Sequence, residues 1–141
     1  MKERTLTIIK PECVRDHHIG EIIHRFEEAG FEIIGMKMLK LSTTEAEQFY
    51  LVHKDRPFYR DLVEFMTSGK VVVMAMEKEN AISDLRELIG STNPDEASEG
   101  TIRHAFGKNI RVNCVHASDS VENGLKEVAF FFSERELVAC K

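Results

Sequence analysis

At positions 113–120 the chain reads Asn113-Cys114-Val115-His116-Ala117-Ser118-Asp119-Ser120. An apolar run that begins at position 110 ends here, and helix-capping residue types follow at once. This pattern predicts a strand over 110–116 and then a helix. Positions 110, 112, 114 and 116 share one side of a period-2 pattern, so His116 is expected to point where the apolar side chains point. The junction also brings an imidazole close to the free N–H groups of a helix N-terminus, which suits binding of phosphate.

Elsewhere in the chain, apolar periodicity predicts three more strands, over 4–10, 31–39 and 71–76. The last of these is apolar on both sides and is therefore expected to be central. Between the strands lie predicted helices: one over 19–26 that stops at Gly30, a short one through Tyr50 and one that starts at Pro57. Ser42 and Glu45 have capping-box spacing for the short helix.

Two further helices follow the third strand. Ile82, Leu85 and Ile89 mark one that stops at Gly90, and Val121, Leu125, Val128 and Phe132 are the expected apolar stripe of the last one. Residues 91–108 are predicted to be mostly irregular, with one short helical turn at 94–96. A stretch this long without regular structure in a small domain is usually functional or disordered, and its Thr, Asn, Pro and Arg content favours function.

Composition limits the class of protein. The 141 residues suit one domain, 1–141, and no segment approaches the apolar length of a membrane span. A net charge of −5 argues against broad nucleic-acid binding, which normally leaves a basic footprint. With no secretory signal visible, the three cysteines are predicted to be reduced thiols in a cytoplasmic protein. The other five histidines lack reliable metal-ligand spacing, so no protein metal site is predicted.

The 113–120 stretch fits N-x-x-H-[GA]-S-D-[GSA], and here the chain resembles the nucleoside diphosphate kinase family. Further similar segments follow in the family's order: 8–11, 53–58, 86–94 and 100–103. The resemblance runs from about residue 4 to residue 138. It implies a ferredoxin-like βαββαβ fold: a four-stranded antiparallel sheet covered by helices, expected on one face, with extra helices and a long loop before the last strand.

The resemblance also implies an activity. ATP would phosphorylate His116, ADP would leave, and another nucleoside or deoxynucleoside diphosphate would take the phosphoryl group in a ping-pong reaction. Mg²⁺ would arrive with the nucleotide, since it prefers phosphate oxygens and water. Family members are homo-oligomers, tetramers or hexamers, and nothing in this sequence decides between these two assemblies.

Matched residue by residue, the family supplies roles for ten positions. The catalytic set is His116 as nucleophile, Glu127 as its partner, Ser120 as the residue that orients Glu127 and caps the helix, Lys10, and Tyr50 near the histidine. The nucleotide-binding set is Lys10, Arg86, Thr92 and Arg103 on phosphates, with Lys10 also on the ribose 3′-hydroxyl, Asn113 on the ribose and Phe58 stacked on the base.

Pattern alone leaves simpler alternatives open. An isolated histidine on an apolar face is commonly a satisfied core residue, and a lysine or arginine in an acidic protein is commonly a solvated charge. Glu127 lies off the expected stripe of its helix and is equally compatible with a solvent-facing position. Phe58 competes as a first core position of its helix, and Tyr50 as a half-buried aromatic residue.

The chain also departs from the family's usual pattern. Glu12 stands where Asp is usual, Ala117 replaces the commoner Gly, and His104 and Ala105 follow the loop arginine in place of a small residue and Asp. None of the residues with an implied role is substituted. A non-catalytic nucleotide-binding module on the same fold is the alternative hypothesis, and it would bind ATP without forming phosphohistidine.

Overall fold

The computed structural model describes residues 2–139. Its strands are β1 (Lys2–Ile9), β2 (Glu32–Leu39), β3 (Val71–Glu79) and β4 (Val115–Ala117). Its helices are α1 (Pro11–Arg15), α2 (Ile19–Glu28), α3 (Thr43–Phe49), α4 (Tyr59–Met66), α5 (Ala81–Ile89), α6 (Ile102–Phe106) and α7 (Val121–Phe131). Short 3₁₀ turns occupy Leu51–His53, Pro94–Glu96 and Glu134–Glu136.

The four strands form one antiparallel sheet in the order β2-β3-β1-β4. The predicted ferredoxin-like arrangement is therefore confirmed, and β3 is central as its apolar pattern indicated. All six residues from Val71 to Met76 are buried. In β1, Ile8 lies opposite Val73 on one side and opposite His116 on the other. The sheet thus joins the start of the chain to the stretch that carries the histidine.

Helices cover both faces of the sheet, so the expectation of one covered face is wrong. Met74 and Met76 of β3 pack into a cluster that includes buried residues of α1, α2, α5 and α6. Val73 and Ala75, which alternate with them, pack with α3, α4 and α7. Because successive side chains of a strand point to opposite faces, a strand apolar at every position needs cover on both sides.

The strand predicted over 110–116 is shorter and later than expected. Only Val115–Ala117 pairs with β1, and Ile110 is 55% exposed. A turn interrupts the pattern, since Asn109 Oδ1 accepts hydrogen bonds from the N–H groups of Arg111 and Val112. Cys114 then takes a positive φ of 78°. The parity argument for His116 is therefore wrong, because the four positions do not lie in one strand. The preceding stretch also contains a helix, α6, that the sequence pattern does not predict.

Of two predicted helix starts, the one at Ser42 is confirmed and the one at Pro57 is wrong. The capping box is confirmed, since Ser42 Oγ accepts from Glu45 N–H at 3.1 Å and Glu45 Oε1 accepts from Ser42 N–H at 2.9 Å. Pro57 does not start a helix, because α4 begins at Tyr59 with Phe58 as its N-cap residue.

The buried face of α7 differs from the predicted apolar stripe. Val121 and Leu125 are 47% and 53% exposed, whereas Gly124, Val128 and Phe131 form the buried face. Gly124 allows this rotation, because a Cβ atom there would stand 2.4 Å from the carbonyl oxygen of Arg4. The helix packs closely on β1 at the one residue that has no side chain.

The prediction of reduced thiols is wrong for two of the three cysteines. Cys13 and Cys114 are joined as a disulfide, with their Cα atoms 5.4 Å apart. They are 101 residues apart in sequence, so spacing gives no sign of the pairing, which depends on α1 following directly after β1. Cys140 lies outside the described residues.

Candidate active site

The sheet positions the histidine backbone firmly. His116 is the middle residue of β4, and its carbonyl oxygen accepts a hydrogen bond of 2.8 Å from Thr7 Oγ1. Its side chain is 18% exposed, which leaves the ring partly accessible while the backbone is fixed. Phe49 packs edge-on to the imidazole, with ring centroids 5.3 Å apart. A partly open, rigidly held imidazole suits a group that must meet a substrate.

Glu127 reaches the histidine from α7. Its Oε1 lies 2.7 Å from His116 Nε2. An ionised carboxylate only accepts hydrogen bonds, so Nε2 carries the proton and Nδ1 holds the free lone pair. Within residues 2–139 no side chain or backbone group forms a hydrogen bond with Nδ1. Glu127 thus lies within hydrogen-bonding distance of the imidazole, and one ring nitrogen has no partner within residues 2–139.

The residue that orients Glu127 is Ser118, so the assignment of that role to Ser120 is wrong. Ser118 Oγ donates to Glu127 Oε1 at 2.8 Å and accepts from the N–H of Leu6 at 3.1 Å. Ser120 does cap α7, since its Oγ accepts from Asn123 N–H at 3.0 Å. Ser118 lies two residues after His116, directly after the end of β4, and both side chains contact Glu127.

The two serines make a matched pair of test positions. We expect Ser118→Ala to lower kcat about tenfold, the scale of one lost hydrogen bond to a charged group. Ser120→Ala is expected to lower the free energy of unfolding by about 1 kcal/mol through loss of the cap, with kcat of the folded protein near native. Steady-state kinetics and urea unfolding of both variants would measure this. Equal losses of kcat in the two would contradict the assignment of Glu127 to Ser118.

Tyr50 also lies near the histidine. The centroids of the two rings are 6.5 Å apart, and the tyrosine side chain is almost fully buried. Its hydroxyl has no hydrogen-bond partner among the described residues. Burial and, second, the charge of Glu127 raise the pKa of this hydroxyl. Tyr50 is thus a neutral donor held close to the site.

Lys10 and Asn113 form a buried pair at the end of β1. Lys10 Nζ donates to Asn113 Oδ1 at 2.7 Å, and Asn113 Nδ2 donates to the carbonyl oxygens of Thr92 and Ile110. Burial, helped by the Arg103 charge and opposed by the Glu12 charge, lowers the pKa of Lys10 to about 8. The amine is therefore positive below about pH 8 and loses its charge above it.

Arg103, in α6, is the second buried cation. Its guanidinium donates to the carbonyl oxygens of Gly90 at 3.1 Å and Val115 at 2.8 Å, while its Nε has no partner in the described part of the chain. Burial and the nearby Arg86 charge lower its pKa to about 10. Arg86 itself is exposed. Lys10, Arg86 and Arg103 thus share one positive region, which suits an anion.

Two of the predicted nucleotide-binding residues, Thr92 and Phe58, make fewer contacts with the rest of the site. Thr92 contributes its backbone carbonyl to Asn113, and its exposed side chain meets no described partner. Phe58 is half-buried, with the Arg111 guanidinium 4.8 Å from the centre of its ring and the His53 ring at 5.5 Å. It lies beside the turn that leads to Asn113, and no direct contact joins it to the histidine among the described residues.

Within residues 2–139 no group of three or more His, Cys, Asp or Glu side chains could hold a metal. The polar groups at the site are mostly cationic, amide or hydroxyl, and its described carboxylates are those of Glu12, Asp119 and Glu127. Such a donor set fits phosphate oxygens better than it fits a bare cation.

Residues 3–137 match the protein family described as Nucleoside diphosphate kinase. A nucleoside diphosphate kinase of Salinibacter ruber is 56% identical over 137 residues, covering 97% of this chain and 96% of its relative. One from Chlamydia felis is 57% identical over 136 residues, covering 96% of each chain.

Solved structures agree with the sequence relatives. The Aquifex aeolicus nucleoside diphosphate kinase superimposes with a TM-score of 0.96 at 43% identity, covering 98% of this chain and 100% of its own. The Halobacterium salinarum enzyme in complex with CDP gives a TM-score of 0.95 at 36% identity, covering 100% of this chain and 94% of its own.

Proposed function

The chain belongs to the nucleoside diphosphate kinase family and transfers phosphoryl groups between nucleotides, and on this premise we propose that His116 carries the group. The donor is a nucleoside triphosphate, mainly ATP, and the acceptor a nucleoside or deoxynucleoside diphosphate. The observation that carries the proposal is the hydrogen bond of 2.7 Å between His116 Nε2 and Glu127, which leaves Nδ1 free.

The proposed reaction has two matched halves. Nδ1 of His116 attacks the γ-phosphorus of ATP, an N–P bond forms, and the bond from that phosphorus to the β,γ-bridging oxygen breaks as ADP leaves. A second diphosphate then attacks the phosphohistidine through a terminal oxygen and restores the free imidazole. Phosphorylation makes the ring cationic while Nε2 keeps its proton, and the Glu127 carboxylate stabilises that charge.

Positive charge around the phosphates supplies the rest of catalysis. Phosphoryl transfer depends mainly on positioning and on neutralising the oxygens of the transferred group. We assign Lys10, Arg86, Arg103 and the Thr92 hydroxyl to the phosphates, and Lys10 and Asn113 to the ribose hydroxyls. Mg²⁺, which neutralises phosphate charge when bound, would come with the nucleotide, because the site offers it few oxygen ligands.

Base recognition falls to Phe58 in this proposal. An aromatic face stacks on any base, since every base has a π-face, and each stack contributes about 1–3 kcal/mol. A site that stacks the base and leaves its hydrogen-bonding edge unread accepts purines and pyrimidines alike.

Other parts of the proposal concern assembly and location. We place the protein in the cytoplasm as a single domain over 1–141 that forms a homo-oligomer, a tetramer or hexamer. Exposed Met36 and Met38 on the edge strand β2 support self-association, as do exposed Val121 and Leu125 on α7. Light scattering would give the number of subunits. Over residues 2–139 no helix has the length and apolar character needed to cross a bilayer.

The test is a pulse and chase. Protein incubated with γ-labelled ATP and Mg²⁺, without acceptor, is expected to take up one label per chain in acid-labile form on His116. The label should move to GDP on chase, and uptake should fall when Mg²⁺ is left out. Binding of ATP without labelling of the protein would instead support the non-catalytic module.

A further inference from the structure

A strained turn separates the two halves of the proposed site. Cys114 has a φ of 78°, and the N–H of Val115 donates to the carbonyl oxygen of Asn113 at 2.9 Å. Three-residue turns with positive φ at the centre are rare and strained, and such conformations persist only where the surroundings enforce them. Asn113 is the first residue of this turn, and Val115, its last, is the first residue of the catalytic strand. Whatever holds the turn therefore sets the spacing between the ribose-binding amide and the histidine.

The residues after β1 provide that hold. The carbonyl oxygen of Cys114 accepts from Lys10 N–H at 2.8 Å, and its own N–H donates to Glu12 Oε1 at 3.3 Å. Its sulfur is bonded to Cys13. Three contacts from one short segment thus fix a single residue.

Glu12 is the unusual member of this group. The residue is only 4% exposed, and its second oxygen, Oε2, is buried with no hydrogen-bond partner within residues 2–139. A carboxylate with an unsatisfied buried oxygen is costly. Stability alone therefore explains its presence poorly, since an apolar residue would avoid the cost.

We propose that Glu12 is a positioning residue, which holds the turn at Cys114 and places a negative charge near Lys10, and this rests on the function proposed above. The carboxylate does not touch the reacting atoms. It acts through the backbone N–H of Cys114 and through the charge of Lys10.

The charges around this group set a pH dependence. Glu12 faces Lys10 and, more weakly, Lys108, while Lys10 also faces Arg103. Burial raises the pKa of Glu12, and the charge of Lys10 is the largest opposing cause. Lys10 is protonated below about pH 8, so nucleotide affinity should be full at lower pH and fall as pH rises through that value. Removing the Glu12 charge would make Lys10 lose its proton at lower pH.

Two substitutions of Glu12 separate its hydrogen bond with Cys114 from its charge near Lys10. Glu12→Gln keeps an oxygen that can accept from Cys114 but removes the charge, so the midpoint of the alkaline fall in ADP affinity is expected to move down by about half a pH unit or more. Glu12→Ala also removes the acceptor, and we expect its kcat at about pH 6.5 to fall about tenfold. Calorimetric titration with ADP across pH, and phosphoryl-transfer kinetics, would measure both.

The matched control is Glu21→Gln, which removes the same charge from an exposed side chain of α2 that pairs only with Arg25 within the described residues. It should change neither quantity. A native pH midpoint in Glu12→Gln would overturn the proposal, as would native kcat in a folded Glu12→Ala protein. If Glu12→Ala does not fold, the midpoint in Glu12→Gln decides. Failure of the native protein to form phosphohistidine would instead refute the proposed function, and ADP binding would still report on Glu12.

Discussion

His116→Asn is expected to lower phosphoryl transfer by roughly 10⁴-fold or more, the scale seen when an enzyme loses its nucleophile. Asparagine has a similar size and can keep a hydrogen bond to Glu127, so the site should stay folded. It has no ring nitrogen to attack phosphorus, and the covalent intermediate cannot form. Because Lys10, Arg86 and Arg103, to which phosphate binding is assigned in the proposal, are untouched, ATP affinity should change little. The variant therefore separates loss of chemistry from loss of binding.

The matched control is His24→Asn. His24 lies on the exposed side of α2, with its side chain 65% exposed and paired with Glu28 at 3.2 Å. Its replacement should leave transfer and labelling unchanged. Near-native turnover in His116→Asn, or continued labelling of that variant by γ-labelled ATP, would show that another residue carries the phosphoryl group.

The main strands and helices of the fold are predictable because the apolar patterns and the local capping signals agree. The apolar residues of β3 on both parities indicate a central strand, and the Ser42 capping box marks the start of a helix. Prediction fails where tertiary contacts decide. At Gly124 the helix α7 packs on the carbonyl oxygen of Arg4, so a less apolar face of the helix is buried than its pattern predicts. The sequence of the helix contains no sign of this contact.

In the site, too, sequence signals predict some features and tertiary contacts decide the others. The motif identifies the histidine, and the resemblance supplies Glu127, which the structure brings to 2.7 Å. Ser120 caps α7 and makes no hydrogen bond to Glu127, whereas Ser118, directly after β4, donates a hydrogen bond to Glu127. The turn at Cys114 is hidden for a different reason. Alternating apolar residues there imitate a strand, and the pattern is broken by the turn at Asn109 and by the contacts of Cys114 with the segment after β1.

A second large effect is expected at the contact that rotates α7. In Gly124→Ala the new Cβ would stand 2.4 Å from the carbonyl oxygen of Arg4 and 3.2 Å from Ile82 Cδ1. Since the first atom belongs to the backbone of a central strand, the helix must move. Overpacking of this kind costs about 1–3 kcal/mol, and the severity of the contact favours the upper end. The better helix propensity of alanine offsets about 1 kcal/mol, so we expect a net loss of about 2 kcal/mol in the free energy of unfolding.

Displacement of α7 should also reach the chemistry, because Glu127 lies about one helical turn beyond Gly124. We therefore expect kcat to fall with stability, unlike a purely peripheral change. Gly20→Ala is the matched control, since Gly20 is in α2 with nothing within 4 Å of the position its new Cβ would take, and it should gain up to about 1 kcal/mol. Urea unfolding at one fixed protein concentration compares the two, because oligomerisation makes apparent stability depend on concentration. Equal stability of both variants would mean that α7 does not rest on β1 at this residue, and the hold on Glu127 would then have to come from Ser118 alone.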